Sequence, residues 1–484
     1  TVEGSAYFFG RNQNTIGKSV DGLNTRANEF YNTTYGARLG FPIVKNKLFF
    51  FASVEQTRIQ TPTTFNAGDP GALISKDEAQ KIASELQKSF YSYDVGSFDE
   101  IQTKTESTKL FGRLDWNINE KHQLTLRHNY IKPFDDNITR SSTLFRFGNN
   151  AYRFNNDQNV SVLELRSRFN QNLSNNLIVG YSRIRDARGT SGKLFPQIAI
   201  NNIGGVSGQS LQFGTERSSA ANELDQDIFE FTDNLKLFAG KHTFTLGTHN
   251  EFFKFRNLFI NNVNGFWQYN NLDDFYAGKP NRVQAAYSIL PGENRPAAQF
   301  SAAQLGFYFQ DEIEVDEYFK LTAGLRVDVP LFFDKPLANP LVPTTFPGLA
   351  TDKLPSGQIL VSPRVGFNWD LTGDRAIQLR GGIGLFTGRV PFVWMSNQFT
   401  NSGMLYGSVD QFNSTSAPLT FVPDPDKQST AGTQGKTYEV NLLSKNFRIP
   451  QVLRYSLGAD FKLPGGVLAT LDGMYSKTIN NITY

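Results

Sequence analysis

The sequence contains no cysteine, which excludes disulfide frameworks, thiolate metal sites and cysteine nucleophiles. Histidine is nearly absent as well: His122, His128, His242 and His249 are the only four in 484 residues, which leaves little room for an imidazole-based metal centre. Neither sign of charge dominates, because 48 Lys and Arg stand against 45 Asp and Glu, a net of +3. That balance lacks the concentrated basic excess of a nucleic-acid-binding surface. Long apolar runs are missing too. No window approaches the ~18–20 consecutive apolar residues of a spanning helix. The uncharged stretch 194–215 is broken by Pro196, Gln197, Asn201 and several glycines. An α-helical membrane protein is thereby excluded. The chain starts at Thr1 with no basic, apolar leader, so a processed or internal piece of a longer chain is expected.

What the sequence does have is aromatic side chains, 13% of all residues with 43 Phe among them, at a mean hydropathy of only −0.37. The dominant pattern is alternation with period two over 8–11 residues, the mark of strands with two different faces. In 319–328, Phe319, Leu321, Ala323, Leu325 and Val327 share one face, and Lys320, Thr322, Gly324, Arg326 and Asp328 the other. Segments 109–118, 361–370, 377–385 and 453–462 alternate as cleanly. Weaker versions at 4–12, 35–41, 48–57, 123–131, 160–169, 177–185, 226–238, 242–255, 303–312 and 467–475 bring the expected total to 15 strands. One helix is expected over 76–90, with Ser75 as N-cap and Ala79, Ile82, Ala83, Leu86 and Phe90 on its apolar side.

Connections alternate between short and long. The short ones (43–47, 118–122, 170–176, 239–241, 314–318, 371–374, 464–466) are mostly supplied with the Gly, Asn and Asp that tight reversals need. The long ones are 13–34, 58–108, 132–159, 186–225, 256–302, 329–360 and 386–452. Strict alternation puts every long loop at one end of the strands, the layout of transmembrane β-barrels with short periplasmic turns and long extracellular loops. A soluble β-sandwich also alternates, but its turns recur every ~8–12 residues. Here the polar face carries rows of charge, and Trp116 and Trp369 stand on the apolar face near short turns, where an interfacial aromatic girdle belongs. The fold class expected is all-β, a transmembrane antiparallel barrel. Counting from an outward-running first strand, the fifteenth also runs outward. Bacterial barrels close with an even strand number, so the chain is expected to be part of a larger barrel.

Five ordered segments carry a family resemblance. Gln304–Asp328 reads QLGFYFQDEIEVDEYFKLTAGLRVD and resembles the Y-x-Q-D-E … L-x-x-G-x-R-x-D hairpin of TonB-dependent outer-membrane transporters. GSAYFFGRNQ (4–13), FPIVKNKLFFFASVE (41–55), RLDWNINEKHQLTLRHNY (113–130) and SPRVGFNWDLTGDRAIQLRGGIGLFTGRVPFVWMSNQ (362–398) resemble the Oar-like subfamily, which carries a carboxypeptidase-regulatory-like domain at its N-terminus. The resemblance implies a barrel of about 22 strands around an internal plug, of which residues 1–484 would be the partial barrel domain without plug or regulatory-like domain. It further implies the outer membrane of a Gram-negative bacterium, a TonB–ExbB–ExbD energy-coupling complex as partner and, beyond that, a surface lipoprotein. The implied function is import of a substrate too large or scarce for porins. A passive porin-like channel, and an interaction or secretion scaffold acting through its loops, are the alternatives.

The residues assign the rest. Arg113, Asp115, Arg127, Arg166, Arg326, Asp328, Arg364, Arg380, Arg454 and Asp460 fall on the polar face and are expected to line the lumen or touch a plug. Glycines on the same face, Gly36, Gly40, Gly366, Gly382, Gly384 and Gly458, mark either close approach of a plug or bending of the sheet. Phe266, Trp267, Tyr269, Arg389 and Trp394 are the extracellular-loop residues expected to contact substrate, with loop self-packing as the alternative role. No catalytic residue, metal ligand set or cofactor is expected. His128 shares its parity with Leu124, Leu126 and Tyr130 and belongs to the outer belt, while Asp424 and Asp426 lack the further oxygen ligands that calcium takes.

Overall fold

A computed structural model describes residues 1–24, 28–88, 90–428 and 439–483. Its main element is a fifteen-stranded sheet in which every strand pairs antiparallel with its predecessor in the series. The strands are β1 (Glu3–Asn12), β2 (Tyr31–Val44), β3 (Leu48–Pro62), β4 (Gln102–Asn117), β5 (His122–Asn137), β6 (Tyr152–Arg168), β7 (Leu173–Thr190) and β8 (Asn222–Ala239). They continue through β9 (His242–Phe259), β10 (Ala298–Glu314), β11 (Phe319–Phe332), β12 (Leu360–Asp370), β13 (Ile377–Thr387), β14 (Gln451–Lys462) and β15 (Leu468–Asn480). Each corresponds to one strand expected from the alternation. β1 and β15 are the two edges of the sheet and do not pair with each other.

The facing assignment follows from register and exposure together. Leu325, Val365 and Leu457 are 48%, 47% and 59% exposed. A dry core between stacked sheets would bury all three, so the apolar face of this sheet is an outer surface. Partners across the ladder continue it. Leu325 stands opposite Phe309, and Phe309 opposite Leu246, which is also exposed. Near the short turns Trp116 and Trp369 lie on this face, with Trp369 edge-on to Phe319 at 5.8 Å between ring centroids. Toward the long loops a second aromatic row runs across Tyr181, Phe229 and Phe252, which are successive partners in the ladder. Two such girdles bounding an apolar band are what a barrel crossing a bilayer presents to the headgroups.

The strands are longer than the alternation indicates, 10–18 residues. The extra residues lie beyond the upper aromatic row, where the outer face changes character. There Arg185 pairs with Asp227 at 2.8 Å, and Arg256 with Glu223 at 2.8 Å. Above the hydrocarbon the outer face is polar as well, so along most strands the period-two contrast disappears and the backbone ladder shows that the strand continues, whereas on β9 and β10 the lumenal side turns apolar, with Phe253, Phe255 and Phe300 buried. Short turns and long connections alternate as expected. Among the described residues no helix is long and apolar enough to cross a membrane, a statement that does not bear on strands.

Helix α1 (Lys76–Leu86) begins at Ser75, whose Oγ accepts from the Glu78 N–H at 3.2 Å. Ala79, Ile82, Ala83 and Leu86 are buried as expected, but Phe90 is not part of the helix: α1 ends at Leu86 and Phe90 is exposed.

Replacing the outward Leu325 by Arg is expected to cost about 2–4 kcal/mol of barrel stability, and replacing the lumenal Thr322 by Arg far less. Refolding titrations of the two full-length variants into lipid vesicles measure the difference, and equal losses would reverse the two faces.

Candidate functional site

The lumenal wall is built from the polar parity of the strands, and its arginines hold nearby carboxylates. On β4, Arg113 Nε donates to Asp115 Oδ2 at 2.7 Å, and Thr125 from β5 donates to Asp115 Oδ1 at 2.7 Å. Arg166 pairs with Glu164 at 2.7 Å, and Arg326 with the buried Asp328 at 2.7 Å. Arg380 bridges two strands, reaching Asp460 on β14 and Asp472 on β15, the latter at 2.7 Å. Arg364 and Arg454 share a neighbour, the Phe386 ring, at 4.5 and 5.7 Å from its centroid. Arg127 stands opposite Arg113 in the register. Alternating residues two apart on one strand face the same way, which is why Arg-x-Asp and Glu-x-Arg recur as self-contained pairs.

Two glycines on this wall make room for the charges. A Cβ at Gly458 would collide with Asp472 and meet Arg380 Nε at 3.0 Å, and one at Gly306 would collide with the Arg326 guanidinium. At Gly306 that Cβ would also lie 2.9 Å from the His249 carbonyl, a backbone atom that cannot swing aside. At the short-turn end the wall opens into a cavity of about 1180 Å³. Lys45, Lys47, Lys121, Arg168 and Lys236 ring it, and Glu120 is the one carboxylate among its described lining residues.

Toward the long-loop end, part of the connection 388–450 folds back onto the wall. Its α-helix, α2 (Phe392–Thr400), lies against the lumenal faces of β9 and β10. Phe392 packs on Phe253 and Phe255 with centroids 4.4 and 4.9 Å apart, and Phe399 stacks on Phe300 at 4.6 Å. Polar contacts seal both sides. Arg389 donates to Glu251 on β9, the Val390 N–H to Gln304 Oε1 on β10 at 3.3 Å, and Asn257 to Ser396 Oγ at 2.7 Å. Glu251 and Gln304 are register partners, so Arg389 and Val390, just before the helix, reach one spot on the wall.

The other long connections join each other. A six-stranded sheet runs Tyr406–Phe412, Arg282–Ser288, Phe266–Tyr269, Gln197–Asn201, Ser210–Phe213, Leu144–Arg146. Its strands come from four different connections, and α1 from a fifth packs on it. The resulting cap has a core of its own: Phe145, Phe147, Ile198, Ile200, Leu211, Phe213, Tyr269, Phe275, Ile82 and Leu86 are all essentially inaccessible. Arg140 is a cross-connection staple. Its Nη1 donates to Asn66 Oδ1 at 2.6 Å and to the Asp99 carbonyl at 2.7 Å, its Nη2 to the Ser97 carbonyl at 3.0 Å. Burial lowers its pKa to about 10, still far above neutral, so the guanidinium remains charged. Arg282 pairs with Asp410 across two cap strands and holds that carboxyl below the usual carboxylate range.

The sequence matches the family model for an outer membrane beta barrel domain over residues 1–77 and 70–482. The chain belongs to that family. The fold is similar to that of the outer membrane transporter YddB from Escherichia coli, with a TM-score of 0.61 at 13% identity over 99% of this chain and 52% of that one. A variant of the ferric enterobactin receptor PfeA from Pseudomonas aeruginosa gives 0.51 at 13% identity over 99% and 54%. The siderophore receptor PirA from the same organism gives 0.50 at 12% over 99% and 55%. The chain thus spans about half the length of these solved structures. No curated protein matches it closely enough to count as a relative.

The outer membrane β-barrel domain is therefore a multi-pass barrel of the outer membrane, and its expected site residues can be placed. The ten residues expected to line the lumen all fall on the polar parity of their strands, opposite the apolar outer face. Trp394 is exposed beside α2, and Arg389 is tied to Glu251. Phe266, Trp267 and Tyr269 are buried inside the cap at 5%, 3% and 0% exposure, so their role here is packing, and no ligand reaches them without opening that core. Glu251, Gln304, Phe253 and Phe300 were not singled out by the sequence. The parity of β9 and β10 puts them on the lumenal side, but only the fold brings residues 389–399 onto them. His128 donates to or accepts from Ser161 at 2.8 Å on the outer face, and His242 meets Asp311 at 2.8 Å near a short turn. Among the described residues no group of His, Asp and Glu is arranged to hold a metal.

Removing Arg389 leaves Glu251 without its cation, a loss of about 1–3 kcal/mol of local stability. Amide hydrogens of residues 392–400 should then exchange about ten- to a hundredfold faster in Arg389→Ala and in Glu251→Gln. Exchange unchanged in both variants would show that the charge pair does not hold the helix. The cap carries a pH dependence. Asp410 has a lowered folded-state pKa, so its stabilisation is complete above its unfolded value of about 3.9 and is lost as pH falls through the folded value. Protection factors in 406–412 should drop between pH 5 and pH 2–3 in the native protein, and Asp410→Asn should flatten that drop.

Proposed function

We propose that this barrel domain is the greater part of the barrel of a TonB-dependent transporter, of the Oar-like subfamily, that imports a substrate too large or too scarce for porins. Energy would come from TonB–ExbB–ExbD acting on a plug that belongs to the whole protein together with the remaining strands and the regulatory-like domain. The observation that carries this reading is the helix Phe392–Thr400 seated on the lumenal wall. A connection that folds into the lumen narrows it on the extracellular side and offers side chains to anything descending from the loops. The wall below supports the same reading. Its ion pairs line a wet interior, and the basic ring at the short-turn end suits an acidic surface on a plug or a periplasmic partner. A surface lipoprotein over the cap would fit the same architecture. Catalysis has no part in the proposal, and three of the wall's cations already serve as structural ion pairs, Arg113 with Asp115, Arg166 with Glu164 and Arg326 with Asp328.

The passive-channel alternative makes the opposite claim about permeability. Purified full-length protein in liposomes is expected to give no swelling with small sugars, whereas a porin gives swelling at once. Substrate accumulation by cells expressing it is expected to stop when TonB is deleted or the proton gradient is collapsed. Swelling at porin rates, or uptake indifferent to TonB, would rule out energised import.

A further inference from the structure

We infer that the pocket beside α2 is a binding subsite for a neutral oligosaccharide. The inference rests on the import reading and adds the substrate's chemical class. The pocket has a volume of about 430 Å³ and lies between α2, the segment 441–448 and the chain beyond β15. That size is within the range of small-molecule sites, ~300–1,000 Å³.

The composition of its lining decides the class of ligand. Trp394 stands at its edge with 45% of its surface exposed, although the neighbouring Met395 is fully buried. An indole left in the open on a helix whose other aromatics are packed has an unused apolar face. Around it are six amide side chains, among them Asn397, Asn446 and Asn480, with two hydroxyls. Among the described lining residues Arg448 is the one charged side chain and there is no carboxylate. Behind the lining, Gln398 is 2% exposed, and its Nε2 donates to the carbonyls of Thr351 and Lys353 at 2.8 and 2.7 Å, which ties α2 to the connection after β11 and fixes this side of the pocket.

The exposed indole and the amide-rich lining fit a sugar. A pyranose presents a face of C–H groups, which packs on an aromatic ring, and a rim of hydroxyls that both donate and accept. Primary amides likewise donate and accept, so an amide-rich wall satisfies hydroxyls in whichever sense they point. A charged peptide or a ferric chelate with net charge would instead need counter-ions, and the lining has a single cation. Burying an unpaired charge there is costly.

The test uses purified full-length protein in detergent, titrated with maltohexaose, cellohexaose and a chitin hexamer, with uncharged blocked peptides of similar length as comparison. Binding is read by calorimetry, so uptake and energy coupling play no part in it. At least one oligosaccharide should bind, and Trp394→Ala should weaken it about tenfold or more, with Trp394→Phe retaining most of the affinity. Asn446→Ala, on the exposed rim, should weaken it several-fold with no effect on folding, checked by heat-modifiable gel mobility. Failure of all three sugars, equal affinity in Trp394→Ala, or Trp394-dependent binding of the peptides in place of the sugars would overturn the assignment. TonB-dependent uptake persisting alongside any of these would leave the import reading standing and remove only the sugar.

Discussion

Hydrocarbon supplies no hydrogen-bond partner to a backbone N–H or C=O, and each unpaired group left in it costs several kcal/mol. That constraint organises this molecule. It requires long ladders without gaps, and the fifteen strands run antiparallel, with register shifts among the described residues between Pro42 and Val44 and between Gln451 and Val452. It also divides the side chains by parity, because a ladder that satisfies its own backbone leaves the side chains to match lipid on one face and water on the other. Trp116, Leu325 and Leu457 answer the first requirement; Arg113, Arg326 and Arg380 answer the second.

Charge on the lumenal face raises a second problem, since cations on a curved wall repel and must be neutralised locally. The solution is repeated pairing at spacing two along a strand, as in Arg113 with Asp115 and Arg326 with Asp328, supplemented by Arg380 across strands. Such pairs are partly exposed and contribute modestly to stability. Their main effect is to hold long side chains flat against the wall, and the glycines at 306 and 458 belong to that arrangement by leaving space for the guanidinium groups. A lumen kept clear in this way can receive the helix Phe392–Thr400 from above.

The long connections solve the entropy of length by packing together. Six short strands from four connections, with a helix from a fifth, bury a common aromatic core of Phe145, Phe147, Phe213, Tyr269 and Phe275. A loop that orders alone must offset its conformational entropy with its own contacts; loops that share a core divide that cost. The rim of the cap stays polar, through pairs such as Arg282 with Asp410.

By itself the sequence determined the parts governed by local period. Strand number, the two faces, the alternation of short turns with long connections and the Ser75-capped helix were all legible, because lipid and water impose contrast at every second residue and a cap needs a particular residue at a particular place. The upper ends of strands such as Tyr152–Arg168 were not, since both faces meet water there and the contrast vanishes. Nor could the sequence reveal that Phe266, Trp267 and Tyr269 face a core while Trp394 faces a pocket. All four are aromatics in long connections, and what separates them is pairing with distant strands, as when Gln197–Asn201 joins Phe266–Tyr269 at a separation of 69 residues. Likewise Arg389 meets Glu251 across 138 residues of chain. Contacts that distant carry no period, so only the tertiary structure could decide them.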